Sequence, residues 1–87
     1  MTEEVTIRYF AQFQEITGRQ QETFSLEGPT ELNTVLDDVV EKYPEARDNL
    51  DHSAISVNLE TINPDQTTVK PGDEIALLPP FGGGNGE

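Results

Sequence analysis

Apolar and polar residues alternate from Val5 to Phe10, with Val5, Ile7 and Tyr9 on one parity and Thr6, Arg8 and Phe10 on the other. Period-two patterning in β-branched and aromatic residues predicts a strand. Ala11 to Thr17 reads as a short helical turn closed by Gly18, because glycine takes the left-handed conformation of a helix C-terminus. A second strand is expected around Glu22 to Leu26, with Phe24 and Leu26 on one face. Gly28-Pro29-Thr30 marks a turn, with Thr30 as the expected N-cap of a helix and Glu31 in its first turn. Leu32, Val35, Leu36, Val39, Val40 and Tyr43 then fall at i, i+3, i+4, i+7, i+8 and i+11, one apolar stripe over three turns. Pro44 stops that helix. Glu45 to Ser53 is polar and is expected to be a loop. Ile55, Val57 and Leu59 alternate with Ser56 and Asn58 as a third strand. Turns follow at Asn63-Pro64-Asp65 and Pro71-Gly72-Asp73, and a last strand at Glu74 to Leu78, before Pro79-Pro80 ends ladder pairing.

The predicted order is strand, strand, helix, strand, strand. A single amphipathic helix covers one face of one sheet. The expected class is therefore α+β, a mixed sheet of four or five strands wrapped over one main helix, the β-grasp or ubiquitin-like arrangement. The helix-facing set would be Val5, Ile7, Tyr9, Phe24, Leu26, Leu36, Val39, Val40, Ile55, Val57, Ile75 and Leu77. Residues 1–81 are expected to form this domain, and residues 82–87 a flexible glycine-rich tail.

Size and charge narrow the function. Eighty-seven residues bury one modest core and leave no room for a cleft between domains, so a module acting with a partner is expected rather than an enzyme. Seventeen Asp and Glu stand against five Lys and Arg. Such a surface repels phosphate backbones, which argues against nucleic acid. It fits either adaptation to high salt, where screening removes the self-repulsion, or a basic partner. There is no cysteine, hence no disulfide or thiolate. With no membrane-length apolar run and an acidic start at Met1-Thr2-Glu3-Glu4, a cytoplasmic chain without membrane contact is expected.

Two features are not explained by folding. The first is Phe81-Gly82-Gly83-Gly84-Asn85-Gly86-Glu87. Glycine loses the most entropy on ordering and packs nothing, but a glycine strand is thin enough to enter a narrow channel and offer an unhindered carbonyl. A merely disordered terminus is the plain alternative. The second is the sheet face away from the helix, where Phe10 and Leu78 would stand on neighbouring strands as a contact patch or as two ordinary surface residues. His52 is the only histidine and has no partner at metal-ligand spacing, so it reads as a surface residue. Asp37-Asp38 and Asp73-Glu74 are adjacent pairs whose side chains diverge, so they read as solvated charge rather than acid/base dyads. The triple glycine is followed by no lysine or helix, so it is not a phosphate loop.

The stretch from Val5-Thr-Ile-Arg-Tyr-Phe-Ala-Gln-Phe-Gln-Glu-Ile-Thr to Gly18 resembles the MoaD/ThiS family, as does Gly72-Asp-Glu-Ile-Ala-Leu-Leu-Pro-Pro80 followed by Gly83-Gly84. This family comprises the small subunit of molybdopterin synthase, its sulfur-carrier relatives and the small archaeal ubiquitin-like modifiers. The resemblance covers nearly the whole chain, Asn58 included, and is weakest from Glu45 to Ser53. It implies a carrier that binds no cofactor of its own. An E1-like enzyme using ATP and Mg²⁺ would adenylate the C-terminal glycine, which is then thiocarboxylated or passed to a target-protein lysine. By position, Gly83 and Gly84 match the diglycine. Phe10 and Leu78 match positions that dock on the partner, and Thr61 falls where some relatives carry a larger apolar contact. Phe81 and Gly82 join this partner-binding set.

The chain departs from the family in continuing past Gly84 with Asn85, Gly86 and Glu87. Removal of these three by a processing protease is the leading expectation. The rival is a non-covalent interaction module never activated at its end. Within the carrier reading, sulfur delivery to molybdopterin or tRNA synthesis and conjugation to lysines both stay open. Assembly with a molybdopterin synthase large subunit belongs to the first of these.

Overall fold

The first alternating run forms strand β1 (Glu4–Tyr9) in a computed structural model that describes residues 3–79. Its buried residues are Val5, Ile7 and Tyr9, as the pattern requires. The chain then turns through Ala11 into helix α1 (Gln12–Thr17), which ends on Gly18 at a left-handed φ of 72°. Strand β2 (Gln21–Ser25) returns antiparallel to β1. A two-residue strand, β3 (Thr30–Glu31), precedes the main helix.

Helix α2 (Leu32–Lys42) buries Leu32, Val35, Leu36 and Val39 and closes at Tyr43, before Pro44. After it come helix α3 (Ala46–Leu50), strand β4 (Ala54–Val57), strand β5 (Glu60–Thr61) and strand β6 (Thr68–Val69). The last strand, β7 (Glu74–Leu78), lies parallel to β1 and antiparallel to β4. The main sheet has the order β2-β1-β7-β4-β5. Its inner face and α2 share one core with Phe13, Ala46 and Val69. This is the mixed, helix-covered sheet of the β-grasp fold.

Several expectations need correction. Thr30 is not an N-cap. It belongs to β3, which pairs with β6, and its hydroxyl donates to the Gly28 carbonyl at 2.9 Å. The cap position falls to Glu31, whose side chain makes no capping bond. The Leu32 N–H instead donates to the Thr67 carbonyl, at 2.9 Å, so the backbone leading into β6 satisfies a donor that a cap would otherwise take. The stretch from Glu45 to Ser53 is not all loop, because α3 sits within it and tucks Ala46 fully into the core. The third strand stops at Val57, and Leu59 stands in solvent within the tight turn that follows. Val40 is half-buried rather than core, and Phe24 and Val57 pack against the core from its margin.

Candidate functional site

The sheet has one covered face and one open face, and register decides what the open one carries. Arg8 pairs with Ala76, Ala76 with Ser56, and Ser56 with Thr61. Paired residues share a face, so these four make a row across the outer side. Leu78 lies one row further along, paired with Ala54. Phe10 follows Tyr9, the partner of Leu77, so it comes off the end of β1 beside the end of β7. Phe10 and Leu78 are both half-buried, while Thr61 is exposed two strands away.

Phe10 is fixed by the turn that follows it. The Phe13 N–H donates to the Phe10 carbonyl at 3.0 Å, and Ala11 holds φ 52° and ψ −124°. That conformation costs a residue with a Cβ. It lets one turn send Phe13 into the core and leave Phe10 outside. The Arg8 guanidinium lies 5.6 Å from the Phe10 ring centre and 3.3 Å from Glu74. Both charged partners are well exposed, so this pair orders the patch edge more than it stabilises the fold.

A second cluster was not foreseen. Glu22 shares the inward parity of Phe24 and Leu26, and its side chain is only 6% exposed. Tyr9 and Tyr43 each donate a hydroxyl to it at 2.9 Å, and the Lys42 ammonium pairs with it. Lys42 also lies over the Phe24 and Tyr43 rings, at 5.7 and 5.6 Å. Burial alone would raise the Glu22 pKa. The bonds from Lys42, Tyr43 and Tyr9 outweigh it and hold the carboxyl below its usual range. Burial, reinforced by the bond to Glu22, pushes Tyr9 up. The parity of 22, 24 and 26 was the available signal for this carboxylate. The cluster ties the end of α2 to the sheet edge.

A third cluster fastens the β4–β5 turn. Asp73 is not the solvated charge expected of it: it is buried and accepts from the Lys70 amide at 2.9 Å, the Asn58 side chain at 3.1 Å and the Lys70 ammonium at 3.3 Å. Burial works against its charge, but these donors prevail and lower its pKa. Asn58 in turn accepts from the Glu74 amide at 3.0 Å.

His52 is exposed, with Nδ1 3.0 Å from the Asp48 carbonyl. Among the described residues no group of three His, Cys, Asp or Glu could hold a metal ion, and no helix is long and apolar enough to cross a membrane. The predicted positions Phe81, Gly82, Gly83, Gly84, Asn85, Gly86 and Glu87 lie outside the described residues. What the geometry offers is a half-apolar sheet face beside the strand end from which the tail departs.

The profile of the ThiS family matches residues 7–84. The human molybdopterin synthase sulfur carrier subunit is 34% identical over 83 residues, covering 93% of this chain and 94% of that protein. Small archaeal modifier protein 1 from Haloferax volcanii superposes with a TM-score of 0.76 at 26% identity, covering 93% of this chain and 99% of that one. A chain in the complex of subunits 1 and 2 of the molybdopterin-converting factor from Helicobacter pylori superposes with a TM-score of 0.65 at 27% identity, over 93% and 99%.

Proposed function

This chain belongs to the ThiS family, and on that footing we propose that it is a sulfur carrier whose C-terminus is activated at Gly84. One observation carries the reading. The family match runs to residue 84 and stops on the second glycine of the pair, leaving Asn85, Gly86 and Glu87 beyond it. A protease removes those three residues and frees the Gly84 carboxylate.

A carboxylate is a poor acyl donor, because its leaving group would be oxide. In the proposed sequence a Gly84 carboxylate oxygen attacks the α-phosphorus of ATP on an E1-like partner, and pyrophosphate departs. Hydrosulfide released by a sulfurtransferring partner then attacks the acyl carbon, forms the C–S bond and displaces AMP, giving a thiocarboxylate. The partner supplies Mg²⁺, nucleotide and catalytic groups. This chain supplies an unhindered glycine carbonyl and a docking face formed by Phe10, Leu78 and Thr61. The Helicobacter pylori complex, in which subunits 1 and 2 associate, supports a molybdopterin synthase large subunit as the protein that docks there.

A second reading is favoured by the likeness to small archaeal modifier protein 1. The ε-amine of a target lysine displaces AMP instead of sulfur, forming an isopeptide bond. The two outcomes share the activation step.

The test is ATP–pyrophosphate exchange with the E1-like enzyme of the source organism. A chain ending at Gly84 is expected to support exchange and the full-length chain to fail. Equal exchange by both would remove the need for trimming. No exchange by either would leave the non-covalent module as the better account.

A further inference from the structure

Leu59 is the exposed large apolar residue among the described ones, 91% open to solvent. A single exposed leucine calls for no explanation by itself; its backbone does. Asn58 and Leu59 are the two central residues of the hairpin in which Val57 faces Glu60, and their φ angles are 53° and 74°. A tight hairpin of this kind places both central residues in the left-handed region, where asparagine is tolerated and glycine is favoured second. A leucine there sets its Cβ against its own backbone. Glycine would relieve that clash and the exposure together. For the isolated chain, Leu59 is thus unfavourable on two independent counts, and strain of this sort gathers where a residue serves something outside the fold.

The turn is also held firmly. The Asn58 N–H donates to the Glu74 carbonyl at 2.8 Å, its side-chain amide donates to Asp73 at 3.1 Å, and its side-chain oxygen accepts from the Glu74 N–H at 3.0 Å. Leu59 therefore stands on a preorganised tip, which lowers the ordering cost of docking it.

We infer that Leu59 is an apolar anchor that inserts into a pocket of a protein partner, the pocket bordered by Lys or Arg side chains. Charge selects this occupant. Glu60 beside it is exposed, and the chain carries a formal charge of −12. A second copy and an anionic lipid surface would both be repelled. Position names the partner. Thr61 is two residues away on β5 and opens onto the outer face, so the tip extends the face that carries Phe10 and Leu78. The inference rests on the reading that this face docks the synthase large subunit, and it adds a second anchor at the far end of the sheet.

The experiment measures binding of the full chain to the large subunit from the same organism, with thermal unfolding and sedimentation in parallel. Leu59→Gly is expected to weaken binding about tenfold, the scale of losing one buried leucine, while Tm stays level or rises by a few degrees. Leu59→Asp is expected to weaken it further. Wild-type affinity in Leu59→Gly, alongside a loss in Leu78→Asp, would overturn the anchor and spare the docking face. A fall in Tm for Leu59→Gly would make it a packing residue and overturn the inference. Self-association lost in Leu59→Gly would do so too, by naming a second copy as the occupant. No binding by the wild type would overturn the large-subunit reading and the inference together.

Discussion

The substitution Glu22→Gln probes the one buried charge that joins α2 to the sheet. The amide side chain keeps an oxygen for the Tyr9 and Tyr43 hydroxyls, each 2.9 Å from the same carboxylate oxygen in the native protein. Those bonds change from charge-assisted to neutral, and each loses about 1 kcal/mol. The new amide hydrogens also face the Lys42 ammonium. Lys42 is half exposed, so its pairing adds little beyond the two tyrosines. The expected destabilisation is about 2 kcal/mol, or roughly 8–16 °C in Tm for a chain of this size. The pH dependence has a definite sign. The folded state holds the Glu22 proton less tightly than the unfolded state, whose ordinary value is 4.5. The extra stability is therefore present above pH 4.5 and lost as pH falls through the lower folded value. Denaturant unfolding of both proteins between about pH 7 and pH 3 is the assay. The gap should stay constant above about pH 5 and close in acid, since the other carboxylates are common to both proteins. A gap below about 0.5 kcal/mol at neutral pH, or one that does not narrow in acid, would rule out the charged cluster as the source of this stability.

Other outcomes follow from charge and from the outer face. Phe10→Asp should weaken binding to the synthase large subunit by about tenfold or more while moving Tm little, because Phe10 lies half-buried on the open side of the sheet. Unfolding of that variant would place Phe10 in the core instead. Raising KCl should raise Tm, because screening relieves repulsion among 17 acidic residues set against 5 basic ones. A Tm that is flat or falling with salt would sink the high-salt reading of the composition.

Most of the main sheet and α2 could be read from periodicity, because each element buries one face against the same core. The stripe from Leu32 to Val39 repeats over enough turns to be unambiguous. What escaped is what periodicity does not encode. Helix α3 has five residues, with Ala46 and Leu50 its only apolar positions, too short a run to show a period. Leu59 continues an alternation that began at Ile55, and a period of two is blind to the point where a strand reverses. The turn is made by Asn-Leu, without the glycine that usually signals it. Thr30 has cap chemistry, but Val69 captured it into a two-residue ladder that depends on contacts far along the chain. Glu22 was hidden by its type, since a carboxylate on an inward parity is ordinarily a reason to doubt the parity. Its three donors, from Tyr9, Lys42 and Tyr43, come from outside its own strand. On the candidate site, Phe10 and Leu78 were legible because alternation fixes their face, whereas Thr61 came only from the family resemblance, since the short strand β5 that carries it shows no alternation, and the Asn58–Asp73 fastening needs the fold to bring residues 15 apart together.

Whether the chain works through a trimmed and activated Gly84 can be read from one quantity, the intact mass of the protein isolated from its native cells. The expected species ends at Gly84, alone or with one carboxylate oxygen replaced by sulfur. Only the full-length chain ending at Glu87, found while sulfur transfer or conjugation is running in the same cells, would mean that Gly84 is not the working end.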